Sequence, residues 1–395
     1  MKNNRKNILY ICSFISQEIN KKYGGRRYSP AGYRKKLGLI QSMRVYRINP
    51  VIVSPVNANI FPPKYFGNFT KYFEKLGVIV YYPSVISIIF INELFLVFST
   101  IYTIIKLRKK YKFDSVVFYN YNLYTTLPAF FCKLFYNVPI VIEYEDGLFS
   151  SNNLWVAVNA RLLERVFGKF INGAIINTSN FIKHIKTKNY CIIRGFVDLD
   201  IIEKDFSQYY YKEKEKNIIL FAGQFDAVRG IDTFLKVCQG ILSKRDNIEF
   251  WITGYGKDQY VADVKRKFEQ ITGNKCRFWG YTKREKYIDL ISKADILVNL
   301  QKTSNVFSRY SFPSKLIEFM ASGNVVVSTK VSDLERFAKD LVVLCEDNPT
   351  DIIKKIEEAI DNPEKYKEYG YRAKEWVMAN CTQESSGKKL LKILF

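Results

Sequence analysis

The strongest constraint on the fold is a rhythm of short apolar runs that the chain lays down twice. Ile8–Cys12, Pro50–Ser54, Val78–Tyr82, Ser115–Tyr119, Pro139–Glu143, Ala174–Asn177 and Tyr190–Ile193 are strand-length stretches, and helical patterns separate them. Strands that alternate with helices form βαβ units and hence a parallel sheet. Charge then crowds into Tyr209-Tyr-Tyr-Lys-Glu-Lys-Glu-Lys, which reads as a linker. The alternation restarts with Asn217–Ala222, Ile248–Thr253, Cys276–Phe278, Asp295–Leu300, Val325–Ser328 and Leu341–Cys345. A chain of 395 residues is also too long for one ordinary core. The expected class is α/β, with two doubly wound, Rossmann-like domains over 1–205 and 206–375 and ligands in a cleft at the carboxyl ends of the strands. From Pro363 through Trp376 to Phe395 the pattern is helical.

Composition narrows the chemistry. The formal net charge of +23 points to anionic partners: membrane phospholipids, nucleic acid or phosphorylated substrates. No arginine-rich tail, RNA-binding signature or zinc finger accompanies it, so nucleic acid is not expected. The seven cysteines are scattered and never spaced C-x-x-C. That argues against a disulfide framework or a zinc site and for a reducing compartment. A single histidine, His184, argues against a histidine-based triad or a multi-histidine metal site, and it reads as an ordinary helix residue. No metal or cofactor is expected. Val85 to Ile105 is about long enough to span a bilayer. Asn92 and Glu93 interrupt it, however, and a central acidic residue costs about 2.5–3.5 kcal/mol for insertion. The segment reads instead as a helix packed in its domain, with an apolar, basic-edged face on the membrane surface.

The stretch Ser308-Arg-Tyr-Ser-Phe-Pro-Ser-Lys-Leu-Ile-Glu-Phe-Met-Ala-Ser-Gly323 carries the most specific signal. A strand and a polar loop precede it, Pro313-Ser314 opens an apolar helix, and Gly323 closes that helix. The start of such a helix offers N–H groups and partial positive charge to a phosphate. Glu318, one turn further in, suits the hydroxyls of a sugar. The segment resembles the donor-binding signature P-S-K-x-x-E-x-x-A-x-G of GT-B glycosyltransferases of the retaining family 4 kind. The resemblance implies that Glu318 binds the ribose of a nucleotide-sugar donor and that the backbone around Ser314, Lys315 and Leu316 receives its diphosphate. One position departs from the pattern: the family's second glutamate is Tyr310 here.

Other segments are similar to the same family. Leu220-Phe-Ala-Gly-Gln-Phe-Asp-Ala-Val-Arg-Gly-Ile-Asp puts a cation at a helix entrance after a glycine turn, which suits a diphosphate. In the family's G-R-x-x-x-x-K-G motif, Gln224 stands at the Arg position and Arg229 at the Lys position. Arg229 is thus expected to bind the donor and to stabilise the charge that grows on the leaving phosphate. Ile252-Thr-Gly-Tyr-Gly-Lys-Asp resembles the family's next glycine turn, and Phe278-Trp-Gly-Tyr-Thr its base-binding loop, with the base near Tyr281 and Thr282. In the first domain, Tyr23-Gly-Gly-Arg-Arg-Tyr-Ser-Pro-Ala-Gly-Tyr-Arg-Lys-Lys is a basic glycine loop. The family has a loop here that touches donor phosphate and acceptor, which implies a donor contact at Gly25 and acceptor-side roles for Arg26, Arg27 and Arg34. Lys35 belongs to the same basic set.

Glu143-Tyr-Glu-Asp-Gly147 ends a strand, and relatives carry His-Asp near this point. Three clustered carboxylates raise at least one pKa unless something compensates. Glu145 and Asp146 are the catalytic candidates, one of them orienting the acceptor hydroxyl or sensing positive charge at the anomeric carbon. Glu143 is either an acceptor-side group or a structural partner of a buried arginine, and the sequence leaves both readings open.

The resemblance implies a GT-B fold in which helices over 376–395 cross back to the first domain. It also implies metal-independent transfer with retention, the leaving diphosphate accepting the acceptor's proton. With the positive charge, the expected partners are a nucleotide-sugar donor, a lipid-linked saccharide acceptor and an anionic membrane surface. The expected setting is cytoplasmic and peripheral, on the inner face of the plasma membrane, in bacterial surface polysaccharide synthesis. Two rivals stand beside it, a nucleotide-sugar epimerase of GT-B-like fold and a non-catalytic binding module.

Overall fold

The computed structural model describes residues 5–24, 28–58, 63–88, 91–151, 153–197, 201 and 216–395, without the side chains of Lys75 and Ser150. The chain divides into two compact units, Met1–Phe196 with Gln383–Phe395, and Val197–Thr382. The first boundary therefore falls at Phe196 instead of 205, and the expected linker at 209–216 lies outside the described residues except for Lys216. The returning segment starts at Gln383 instead of 376, because one helix runs unbroken over Pro363–Asn380. The second unit is tied where the chain enters and leaves it, by the Val197 N–H donating to the Cys381 carbonyl at 2.9 Å.

The first unit begins with β1 (Asn7–Ile11), α1 (Gln17–Lys22), α2 (Pro30–Val45) and β2 (Asn49–Val53). Next come β3 (Tyr65–Phe66), β4 (Phe69–Phe73), β5 (Val78–Tyr82), β6 (Val85–Ile86) and α3 (Asn92–Arg108). It continues with β7 (Ser115–Tyr119), α4 (Leu123–Tyr136), β8 (Ile140–Tyr144), α5 (Leu154–Phe167), β9 (Gly173–Ile176) and β10 (Tyr190–Ile192). Its sheet has the order β10-β9-β8-β7-β1-β2-β5-β4. All its pairings are parallel except β4 with β5, while β3 and β6 form a separate antiparallel pair. The strands beside β1 are nearly all buried, as expected of a sheet covered on both faces.

The second unit comprises β11 (Asn217–Gln224), α6 (Ile231–Leu242), β12 (Ile248–Tyr255), α7 (Asp258–Thr272) and β13 (Cys276–Gly280). It goes on through α8 (Arg284–Lys293), β14 (Ile296–Asn299), α9 (Val306–Tyr310), α10 (Ser314–Ser322) and β15 (Val325–Thr329). It closes with α11 (Leu334–Phe337), β16 (Val343–Cys345), α12 (Pro349–Asp361) and α13 (Pro363–Asn380). The sheet order is β13-β12-β11-β14-β15-β16, all parallel, with one apolar cluster on each face.

The chain then returns to the first unit as α14 (Gln383–Leu394), which packs on α2. Gly387 makes that approach possible: a Cβ there would stand 2.4 Å from the Tyr46 ring and 2.8 Å from the Ser42 carbonyl.

The stretch Val85–Ile105 is not one helix. It opens as β6, and its helical part begins at Asn92, whose side chain is buried and donates to the Asn57 side chain and the Ala58 carbonyl. Among the described residues no helix is long and apolar enough to cross a membrane.

Candidate functional site

In doubly wound sheets the crevice outside the strand ends opens where consecutive connections leave in opposite directions. In the first unit that point lies between β1 and β7, and in the second between β11 and β14. Glu143, Glu145 and Asp146 lie beside the first, and Arg229, Ser314, Lys315, Leu316 and Glu318 at the second.

In the first unit Asn120, just past β7, is the hub. It adopts φ +50°, a left-handed conformation that asparagine tolerates better than most residues. Its Oδ1 accepts from the backbone N–H groups of Glu145 (2.9 Å) and Asp146 (3.3 Å), and its Nδ2 donates to Asp146 Oδ2 at 3.0 Å. The Tyr119 hydroxyl donates to the same Asp146 oxygen at 2.6 Å. Asn177 donates from across the next strand to the Glu145 carbonyl at 3.1 Å. These bonds fix the end of β8, so the three carboxylates have set positions.

Those positions differ. Glu143 lies within β8, fully buried, with one oxygen taking the Tyr10 hydroxyl hydrogen bond and Oε1 without a partner. Its complete burial speaks against the acceptor-side reading of Glu143, and among the described residues its nearest polar neighbours are Glu145, Lys36, Lys35 and Tyr10, with no arginine. Glu145 is buried in an ion pair with Lys35. Lys35 thus points inward and does not present its charge to an incoming phosphate. Lys36, also buried, lies 3.7 Å from the centre of the Tyr119 ring. Asp146 alone of the three keeps partial exposure.

The electrostatics follow from this packing. Burial, and then the Glu145 charge, pushes the Glu143 carboxyl up to about 7 against the pull of Lys36 and Lys35. Burial also acts on Glu145, but the Lys35 and Lys36 ammonium groups outweigh it and hold that carboxyl below its ordinary value. Asp146 is raised by burial and by Glu145. Burial disfavours the Lys36 charge, yet Glu143 and Glu145 overcome it and raise its pKa. Two ammonium groups therefore balance two carboxylates, and the third carboxyl, Glu143, keeps its proton up to about neutral pH.

Of the remaining first-unit candidates, Arg34 is exposed on α2. Gly25, Arg26 and Arg27 lie outside the described residues.

The candidates of the second unit are in part exposed and in part buried. After β11, the Asp226 side chain accepts from the Arg229 N–H at 2.7 Å, making a turn that sets Arg229 at the entrance of α6. Gly230, at φ +82°, allows the turn to lie against β14's continuation: a Cβ there would stand 1.8 Å from the Leu300 carbonyl oxygen. The Lys302 N–H donates to the Val228 carbonyl at 2.9 Å and completes the seam. Arg229 is half-exposed, with its guanidinium 5.4 Å from the Phe307 ring centre. Gln224, the last residue of β11, is exposed.

Helix α10 starts at the same edge. Pro313 occupies its N-cap position and no side chain caps it, with Ser314 exposed and Lys315 half-exposed in the first turn. First-turn N–H groups lack intrahelical partners and carry the positive end of the helix dipole. Leu316 is different: it is fully buried in the core and its N–H donates to the Pro313 carbonyl at 2.9 Å. Glu318 is buried too, accepting from Arg284 Nη1 at 2.9 Å and from the Tyr287 hydroxyl at 2.8 Å. Tyr310 is buried in the short α9.

At the ends of β12 and β13, Thr282 Oγ1 lies 2.9 Å from Thr253 Oγ1, which donates to the Gly280 carbonyl. The exposed rings of Tyr281 and Tyr255 stand edge to face, their centres 6.4 Å apart. Sequence reasoning missed Tyr10, Lys36, Tyr119, Asn120 and Asn177 in the first unit, and Tyr255, Arg284 and Tyr287 in the second. The one local signal was Asn120, an asparagine just past a strand end, where left-handed turns concentrate. Among the described residues no group of three or more His, Cys, Asp or Glu side chains is placed to hold a metal ion.

Two parallel, doubly wound units of this kind define the GT-B class of α/β protein, and whole-chain similarities agree. A glycosyltransferase from Rickettsia africae superposes with a TM-score of 0.71 at 15% identity, covering 99% of this chain and 98% of that one. Sucrose-phosphate synthase from Thermosynechococcus elongatus gives a TM-score of 0.70 at 14% identity, covering 98% of both chains. The Anabaena protein Alr3699/HepE, solved in complex with UDP, gives a TM-score of 0.69 at 14% identity, covering 98% of this chain and 99% of that one.

Residues 203–376 match the family model described as glycosyl transferases group 1. An uncharacterized glycosyltransferase of Methanocaldococcus jannaschii is 25% identical over 222 residues, which are 54% of this chain and 55% of that relative. The match thus spans about half the length of that protein.

Proposed function

We propose that this chain is a retaining glycosyltransferase that moves a sugar from a nucleoside diphosphate to a lipid-linked saccharide, without a metal ion, in bacterial surface polysaccharide synthesis. One observation carries the reading. Within residues 203–376, Arg229 follows β11 and Ser314 and Lys315 follow β14, the two strands of the second unit's switch point, with Ser314 exposed and the two cations half-exposed. Arg229, Lys315 and the first turn of α10 supply the positive charge that a diphosphate needs. The Anabaena neighbour's complex with UDP makes a uridine donor the first to examine.

In this reading the ribose lies on Glu318. A carboxylate takes about four hydrogen bonds, so those from Arg284 and Tyr287 orient it for the sugar hydroxyls. The base lies by Tyr281 and Thr282, and Tyr255 adds a second aromatic edge. In the reaction, the acceptor oxygen bonds to the anomeric carbon while the bond to the diphosphate breaks. The electron pair goes to the diphosphate, whose oxygen takes the acceptor's proton. Arg229 stabilises the charge that grows there. In the first unit Asp146 is the carboxylate that meets the substrate, while Glu145 and Glu143 position it through the strand end. The acceptor side of the reading keeps Arg26, Arg27 and Arg34, and places the protein peripherally on the inner membrane face.

The test is the shift in melting temperature of the purified protein with UDP, GDP, dTDP and CMP and their sugars, repeated with Arg229→Gln. A rise with one series, absent in the variant, is expected; ligand at about 100 times its Kd adds about 2.7 kcal/mol. No rise with any nucleotide would overturn the donor assignment and favour a non-catalytic module.

A further inference from the structure

Three consecutive crossover helices of the first unit, α3, α4 and α5, turn apolar side chains to solvent. The connections β5 to β7, β7 to β8 and β8 to β9 all advance the same way along the sheet, so right-handed crossovers put the three helices on one face. The connection through α2 advances the other way, and α2 lies with α14 on the opposite face. Neighbours touch: α3 packs on α4, and α4 on α5.

A crossover helix ordinarily buries one apolar stripe and shows water a polar one. Helix α3 buries Leu96, Thr100, Ile104 and Leu107. It exposes a second stripe at helical spacing, Leu94, Phe98, Tyr102 and Ile105, with Phe98 69% accessible. Helix α5 buries Ala157, Ala160 and Leu163 and leaves Trp155, Val158, Leu162 and Val166 in solvent, with Trp155 64% accessible. Between them, α4 ends on Leu134 and Phe135, 76% and 70% accessible. Single exposed apolar residues are ordinary, but aligned rows on adjoining helices mark an interaction surface.

The charge on this face selects the partner. The three helices contain only two carboxylates, Glu93 and Glu164, and neither is exposed. Glu164 is engaged inward by the Tyr144 hydroxyl at 2.7 Å. By contrast Lys106, Lys109, Lys110 and Lys112 surround the end of α3, Arg161 and Arg165 alternate with the α5 stripe and Lys169 follows it, all of them exposed. A second copy of the chain, itself at +23, would bring like charges together here. An apolar ridge with aromatic residues and basic flanks matches a helix lying at the headgroup boundary of an anionic bilayer.

We infer that the α3–α4–α5 face is the docking surface on which this protein rests on an anionic lipid bilayer. It deepens the membrane part of the proposed function and stands apart from the donor assignment, because neither stripe includes a donor residue.

The experiment is co-sedimentation with phosphatidylcholine vesicles with and without phosphatidylglycerol, for the full chain and for the triple variant Phe98→Glu, Leu134→Glu, Trp155→Glu. The full chain is expected to bind the anionic vesicles, and the variant to bind at least tenfold more weakly with an unchanged melting temperature. A second variant, Lys106→Gln with Lys109→Gln and Lys110→Gln, keeps the ridge and is expected to bind more weakly than the full chain at low salt and to lose less of its binding as salt is raised. No binding by the full chain, or equal binding by the triple variant, overturns the inference. So does a dimer that the triple variant dissociates, which would make the face an interface between copies. A failed nucleotide shift with intact vesicle binding would instead sink the donor assignment alone.

Discussion

The two units share one architecture and spend their strand ends in opposite ways. At the switch point of the first, five titratable groups face one another: Lys36, Glu143 and Glu145 are buried and Lys35 and Asp146 nearly or partly so, with Tyr10, Tyr119 and Asn120 filling the spaces between them. At the switch point of the second, Ser314 is exposed, Arg229 and Lys315 are half-exposed, and Glu318 is buried in a pair with Arg284. The first network pairs its charges within itself, with Glu143 Oε1 left over, whereas the second carries its cations and its serine partly in solvent. A buried charge removed from the first should damage the fold, and an outward charge removed from the second should damage activity.

That contrast breaks most sharply at Glu145. Glu145→Ala removes the buried partner of the Lys35 ammonium, and a loss of about 3–5 kcal/mol is expected, read as a large drop in the melting temperature. Lys302→Ala in the second unit removes a more exposed partner of Asp347 and should change stability by at most about 1 kcal/mol. Equal losses would erase the distinction. Next in size is Arg229→Ala. Turnover should fall by about 10²–10³-fold, equivalent to about 2.7–4 kcal/mol, while the melting temperature holds. A stability loss of the same size would make Arg229 a structural residue.

The smallest effect sharpens the first unit alone. The Glu143 pKa of about 7 exceeds its ordinary 4.5, so the folded chain holds this proton more tightly than the unfolded one. Its stabilisation is complete below about pH 4.5 and is lost as pH rises through about 7. Glu143→Gln should therefore raise the melting temperature at about pH 8 relative to the native chain, with the gain shrinking toward about pH 5. A gain independent of pH would mean that Glu143 is ionised throughout.

The strands named from the apolar rhythm are all present, because fully buried parallel strands read as continuous apolar runs. The misses are β3, β4 and β6. Phe-Thr-Lys-Tyr-Phe of β4 alternates partly buried and exposed residues at the antiparallel edge and has no such run. The end of α10 was legible because proline and glycine mark helix ends wherever they occur. Glu318 was legible as a residue but its partners were not: Arg284 and Tyr287 come from another helix, and single-sequence spacing does not report contacts between helices. Lys35 was misjudged for the same reason, since nothing local says which of two adjacent lysines turns inward. Here both do.

Helix α14 gives the chain an order of completion as well as a shape. A ribosome releases the strands of the first unit early, but the helix that covers α2, seated through Gly387 against Tyr46, emerges only after the whole second unit. The unit begun first is thus finished last, and during synthesis its α2 face waits uncovered while its neighbour closes.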